Sequence, residues 1–389
     1  MVCYSQRRRF LFFLLIVISI LTQACLPMKI PTIYDGQKYG VKEIQLKGKK
    51  KKLKQLDRPI PDENRWMLPK YHKKYEDLEV LLKKSNTTSF LVLKDGKVLY
   101  ENYFNGVEQG DITQVFSVTK VITTAVLGIA IQEGKIQSIN QPVSDFIPAF
   151  KEEGLEDITL FHLVQMQSGL AYDEYKRIFQ TLKFYHQKDV RSRLNAPKLK
   201  HTPGEKFKYK SIDTQLLGVC IEQAVGVPFS EYVSQMLFSP LGFEDPVQWS
   251  VDSKENGQLK YYGGLNISAR DLAKFAQLFL SDGRVGEQQV LSPMTVSFCK
   301  DNNCRNNEGA YCNGWWYNVW DDDRDVFFGA GFKGQIMMIN HTDDVVIVRL
   351  GEKKGGVKWY EMLKNLSVEI GKMDKEYKVN TEHQVAHSK

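Results

Sequence analysis

The chain has 389 residues, 42% of them hydrophobic, so it can bury a large core and is neither a disordered polymer nor a low-complexity tail. Lysine and arginine number 53 against 46 acidic residues, a formal charge of +7, but the excess is local. A leader carrying Arg7, Arg8 and Arg9 accounts for three charges and residues 41 to 60 for a net of +6, which leaves the body near −2 and excludes a nucleic-acid-binding body.

In chain order, three arginines are followed by the apolar run Phe10 to Leu21 and by Thr22-Gln23-Ala24-Cys25. This reads as a secretory signal over residues 1–24, lipoprotein-type, with cleavage before Cys25 and a lipid anchor on that cysteine. The expected product is exported and attached to a membrane, periplasmic or secreted. An uncleaved anchor is weaker, because the run is short for a span. Residues 25–74 read as a basic linker. Its tract Lys47 to Lys54 solvates a tether or rests on anionic headgroups. The folded body is expected over 75–373, with a polar, fraying tail over 374–389.

The body opens with a hairpin, F-L-V-L-K-D-G-K-V-L-Y-E-N-Y-F, whose Asp95-Gly96 pair suits a two-residue type I′ turn. V-F-S-V-T-K-V-I-T-T-A-V-L-G-I-A follows, an apolar helix opening at Ser117. Ser117 and Lys120 are three residues apart and share one helical face, so the amine can reach the hydroxyl. A serine becomes a nucleophile only when a base takes its proton, and a lysine buried beside Val115, Phe116 and Val121 is a base because desolvation disfavours its charged form. The same spacing recurs at Ser297 and Lys300 with no long apolar helix behind it, and that copy reads as chance. His162 packs or caps a helix. Tyr172, Asp173, Trp315 and Trp316 are either cleft lining or ordinary packing.

In H-T-P-G-E-K-F-K-Y-K-S-I-D-T-Q-L-L-G, Pro203-Gly204 makes a turn, and Tyr209 and Ser211 sit where the next helix begins. A phenol there can relay a proton with Lys120, and the Ser211 hydroxyl can bond the lysine or a substrate. Cys220 reads as a buried thiol. Any two of Cys299, Cys304 and Cys312 could pair in an exported protein. No histidine with ligand spacing accompanies them, so no metal is expected, and no cofactor. F-F-G-A-G-F-K-G-Q-I-M-M-I-N-H-T-D-D-V-V-I-V-R-L-G reads as two strands joined by the polar turn His341 to Asp344. Its glycines permit close backbone approach, and the backbone N–H following Gly334, at Gln335, can form an oxyanion hole with that of Ser117. Trp359, Met362, Leu363, Leu366 and Ile370 then define an apolar helix face that covers the sheet.

Taken together, Ser117-x-x-Lys120, Tyr209-x-Ser211 and the glycine-rich segment resemble the serine beta-lactamase and penicillin-binding-protein superfamily, in the class C-related branch of 6-aminohexanoate-dimer hydrolases and esterases. The resemblance runs from about Phe90 to Gly351 and includes L-F-H-L-V-Q-M-Q-S-G-L (160–170) and Y-G-G-L-N-I-S-A-R-D-L-A-K-F-A-Q-L-F-L (262–280). It implies an α/β (α+β) fold, an antiparallel sheet flanked by helices with a large, mostly helical lobe inserted between N- and C-terminal strands. It also implies Ser117, Lys120 and Tyr209 as catalytic residues, with Ser211, Gly334 and Gln335 at the substrate and oxyanion positions. Ser211 stands where the family usually has Asn, and Phe332 where beta-lactamases carry a cation. Lys333 is displaced by one position and, on a strand, would face the other way.

The sequence therefore implies an exported serine hydrolase cleaving an ester or amide through an acyl-enzyme on Ser117, acting on a small-molecule or peptide-like substrate. The alternatives are a non-turnover binding or sensor protein for peptide or cell-wall fragments on the same scaffold, or a weak beta-lactamase or DD-peptidase.

Overall fold

The computed structural model describes residues 30–57, 66–172, 178–195, 197–301, 311–317 and 325–387. The leader, Cys25, Asp173 and Cys304 lie outside these residues.

Two sheets organise the chain. The larger is antiparallel and seven-stranded, and its order follows from two distant segments that meet. Strands β2 (Thr87–Lys94) and β3 (Lys97–Tyr103) form the expected hairpin, with Asp95 at φ 51° and Gly96 at φ 70°, the paired left-handed residues of a type I′ turn. The smaller sheet is four-stranded, in the order β1-β5-β6-β4, with β1 (Val41–Ile44), β4 (Thr113–Gln114), β5 (Val247–Ser250) and β6 (Leu265–Ile267). A short hairpin, β7 (Arg284–Val285) and β8 (Gln288–Gln289), projects from the helical lobe. The remaining strands are β9 (Tyr311–Cys312), β10 (Trp315–Tyr317), β11 (Val326–Gly331), β12 (Gln335–Asn340) and β13 (Val345–Gly351). They complete the order β3-β2-β13-β12-β11-β10-β9.

The large sheet is buried on both faces, and strand alternation sorts its side chains. Leu91, Leu93, Met337, Ile339, Val346 and Val348 pack toward the helical lobe. Phe90, Val92, Ile336, Met338, Val345 and Ile347 face the other way, onto Met362, Leu363, Leu366 and Ile370 of the C-terminal helix Trp359–His387. That helix was expected to end in a fraying tail after Met373. Instead it continues to His387, and Asp374 is buried against Lys94 and Lys378. The lobe between β3 and β9 is mostly helical, as expected, but it also carries β5 and β6.

The linker expected over 25–74 is, in its described part, built into the body. β1 pairs with β5 from Val41↔Ser250 to Ile44↔Val247, and Ile33 and Ile44 are buried. Further on, Trp66, Met67, Leu68 and Tyr71 are buried in the core beneath the C-terminal helix. Burial of apolar residues on either side of the lysine tract, Ile33 and Ile44 before it and Trp66 to Tyr71 after it, docks the segment.

Candidate active site

Ser117 lies on a short 3-10 turn, Phe116–Val118, that feeds the helix Thr119–Gln132. Phe116, the residue before it, is at φ 47°, a left-handed conformation that costs a β-carbon-bearing residue free energy. The surroundings hold it there. Val115 N–H donates to Leu265 O at 3.0 Å, Gln114 Nε2 to Gly263 O at 2.7 Å, and Leu265 N–H to Thr119 Oγ1 at 3.2 Å. The result is a half-buried Ser117 at the start of a helix that is buried on nearly every side.

Lys120 is 1% exposed. Its Nζ donates to Ser117 Oγ at 3.0 Å, to Ser211 Oγ at 3.2 Å and to the Tyr262 carbonyl at 2.8 Å. The helical spacing supplies the first contact and tertiary structure the other two. Three oxygens thus hold the buried amine against the serine hydroxyl. Nζ also stands 5.1 Å from the Tyr209 ring centroid and 5.6 Å from that of Tyr262.

Tyr209 immediately precedes Lys210, the N-cap of the helix Ser211–Val225, and Ser211 is that helix's first residue. The phenol ring stacks on Trp316 at 5.6 Å between centroids and meets Tyr311 edge-on at 5.3 Å. Behind it, Lys210 is 1% exposed and donates to Ser168 Oγ at 2.8 Å, and Ser168 donates to Asp213 Oδ1 at 2.7 Å. Complete burial raises the Asp213 carboxyl to about 6, with Lys210, 3.6 Å away, pulling it down. This buried group ties the turn carrying Tyr209 and Ser211 to the segment after the helix Leu160–Val164. Sequence reading missed Lys210, Asp213 and Ser168, and the visible signal was a charge pair three residues apart across a helix start.

The glycine-rich segment is not one strand. It is a hairpin: β11 and β12 pair antiparallel from Val326↔Asn340 to Gly331↔Gln335, and Phe332–Gly334 is a tight turn with Lys333 at φ 65° and Gly334 at φ 86°. Strand alternation therefore does not place Lys333. A β-carbon on Gly331 would stand 2.3 Å from the Val115 carbonyl, so its absence lets β11 close on the serine turn. Phe332 projects from the turn, 49% exposed, and meets Phe116 edge-on at 5.6 Å. The Gln335 carboxamide is occupied by Gly351, accepting from its N–H at 3.0 Å and donating to its carbonyl at 2.5 Å. What Gln335 can offer an oxyanion is its main chain. Arg349, fully buried and pushed down to about 9 by desolvation, donates to the carbonyls of Lys333 and Gly334 at 3.1 and 3.0 Å and so fixes the turn.

Of the other residues, Trp316 reaches the site through Tyr209, whereas Trp315 is fully buried against Phe279 and Phe327, so it lines no cleft. Tyr172 packs on Phe184, which packs on Tyr262. His162 caps its helix, its Nδ1 accepting from Thr159 N–H at 3.2 Å. Cys220 and Cys299 are buried free thiols, and Cys312 is disulfide-bonded.

A half-exposed serine held against a buried lysine, between a helical lobe and an antiparallel sheet, defines a serine hydrolase of the beta-lactamase-like class. The Beta-lactamase family model matches residues 80–363, and the chain belongs to that family. It is 27% identical over 298 residues to the 6-aminohexanoate-dimer hydrolase of Paenarthrobacter ureafaciens, covering 70% of this chain and 74% of the relative. Among solved structures, a Bacillus anthracis protein described as a candidate 6-aminohexanoate-dimer hydrolase superposes with TM-score 0.78 at 21% identity, covering 90% of this chain and 96% of its own. The penicillin-binding protein of Bacillus halodurans gives TM-score 0.61 at 17% identity, over 75% and 99%.

Proposed function

We propose that the protein hydrolyses an ester or amide bond through an acyl-enzyme on Ser117. The observation that carries this reading is the contact of buried Lys120 Nζ with Ser117 Oγ at 3.0 Å, steadied by Ser211 and Tyr262. Ser117 Oγ attacks the carbonyl carbon as its proton passes to the Lys120–Tyr209 pair, and backbone N–H groups of Ser117 and of Gln335, after Gly334, receive the developing oxyanion. The pair returns the proton to the leaving alcohol or amine. Water then attacks the acyl carbonyl, its proton follows the same route, and Ser117 is regenerated.

The rim favours a substrate whose leaving side is neutral. Phe332 and Phe116 form an aromatic edge where beta-lactamases place a cation for a substrate carboxylate, so ester and amide cleavage is favoured over beta-lactam hydrolysis. Export, with Cys25 as the lipid anchor, belongs to the same reading and rests on Arg7–Arg9 and the apolar run 10–21. The test is a serine-reactive fluorophosphonate probe together with a short-chain nitrophenyl ester. Labelling that Ser117→Ala abolishes, with steady turnover by the unmodified protein, supports the hydrolase; labelling without turnover selects the sensor.

A further inference from the structure

We propose that the strap Lys47–Lys54 is a docking surface for an anionic lipid bilayer. Six of its eight residues are lysines and none is acidic. A loose tether of this composition would carry its charge as a diffuse cloud, but here the backbone is fastened along its length. Lys47 N–H donates to Ser239 Oγ at 2.9 Å, Lys51 N–H to Gly242 O at 2.9 Å, and Arg270 Nη2 to Leu53 O at 3.1 Å. Val98 N–H then donates to Lys54 O at 2.8 Å, and Gln55 bridges Val98. The strap thus runs from the helical lobe to the edge strand β3, with Leu53 packed against the core as an apolar peg.

Two of the six ammonium groups turn back onto this frame, Lys50 and Lys51 reaching the carbonyls of Glu244 and Pro240, and the other four lysines, Lys47, Lys49, Lys52 and Lys54, are exposed. Among the described residues, no carboxylate lies within 4.0 Å of any of the six. A rigid row of cations matches a plane of fixed anions better than a flexible one does, because the ordering entropy has already been spent in folding. A bilayer is favoured over a nucleic acid on two counts. No aromatic residue interleaves the lysines to stack on bases, and the body beyond the segment is net acidic. The lipid proposed above on Cys25 supplies the second membrane signal, which a single polybasic stretch or a single lipid chain needs for stable attachment, and this step rests on that reading.

The experiment is co-sedimentation of the full chain with phosphatidylcholine vesicles, pure or containing about 30% phosphatidylglycerol, against a Lys47→Gln, Lys49→Gln, Lys52→Gln, Lys54→Gln variant. A variant removing the same charge elsewhere, Lys135→Gln, Lys151→Gln, Lys188→Gln and Lys372→Gln, is the control. The expected result is preference of the unmodified chain for the anionic vesicles, weakened at least about tenfold by the strap variant, unchanged in the control, and suppressed by salt. Probe labelling at Ser117 should be equal in all three, which establishes folding independently of binding. Equal partition of the strap variant and the unmodified chain, no preference for anionic vesicles, or salt-sensitive capture of duplex DNA or RNA ahead of vesicles overturns the proposal.

Discussion

Two serines in this chain stand three residues before a lysine on a helix, and only one is built into a site. Ser117 opens the buried helix Thr119–Gln132 and meets Lys120 at 3.0 Å. Ser297 lies on the eight-residue helix Pro293–Lys300, exposed, and no hydrogen bond joins it to Lys300 among the described residues. The spacing is the same. The difference lies in what surrounds the amine: Lys120 is enclosed by Ser211, 91 positions away, and Tyr262, 142 positions away, whereas Lys300 ends a surface helix. Helical geometry can bring a lysine to a serine, but only tertiary structure surrounds the amine with remote acceptors, as it does at Lys120.

The largest expected effect breaks this comparison if it is wrong. Ser117→Ala should abolish probe labelling and lower ester hydrolysis by roughly 10⁴-fold or more, because it removes the nucleophile. Ser297→Ala should leave both unchanged. The reverse outcome would mean that the wrong copy has been assigned. Lys120→Ala should cost nearly as much as the loss of the serine, measured as kcat/KM with circular dichroism to confirm folding, since residues acting as one unit lose their effect together.

Tyr209→Phe sharpens the comparison by asking what Ser297 lacks besides burial. It keeps the ring stacked on Trp316 and deletes the hydroxyl, so a rate loss of roughly 10²- to 10⁴-fold with an altered pH profile is expected. On the proposed mechanism lysine and phenol exchange one proton, so the profile should report the pair, with activity rising as that pair becomes able to accept the serine proton. An unchanged rate and profile would require a different base. Ser211→Ala tests the remote hydroxyl at Lys120 and should cost about tenfold, the worth of one hydrogen bond to the amine.

The last expected effect, on stability and not on rate, lies behind the site. Burial raises Asp213 from the ordinary aspartate value to about 6, so the folded protein holds a proton that the unfolded chain releases at lower pH. That stabilisation is complete below about pH 4 and is lost as the pH rises through about 6, a change on the order of 2 to 3 kcal/mol. Urea midpoints should accordingly fall between pH 4.5 and 7.5, and Asp213→Asn should flatten the fall. A slope unaffected by the substitution would show that other groups carry it.

Much of the architecture was legible because it is written between neighbours in the chain. The Asp95-Gly96 pair specified its turn, and the spacing of Trp359, Met362, Leu363, Leu366 and Ile370 specified a covering helix. The glycine-rich segment was readable as strand but not as hairpin. The information sits in positive φ values at Lys333 and Gly334, and lysine advertises no such preference. Likewise Trp315 and Trp316 are adjacent and chemically identical. Which of them enters the core and which stacks on Tyr209 follows from the pleat of β10 against its neighbours.

Neighbouring residues were enough to show that Ser117 and Lys120 share a helical face, that strands stand on either side of a helical lobe, and that the excess positive charge lies in the leader and in residues 41–60. Periodicity and charge count need only local information. Tertiary structure decided the rest: the enclosure of Lys120 by Ser211 and Tyr262, the brace of Lys210 and Asp213 behind Tyr209, and the fastening of a lysine-rich stretch along the surface as a strap. Each depends on segments far apart in sequence being buried together, and a contact of that kind exists only once the cooperative gain of the whole core has offset the entropy of closing the chain between them.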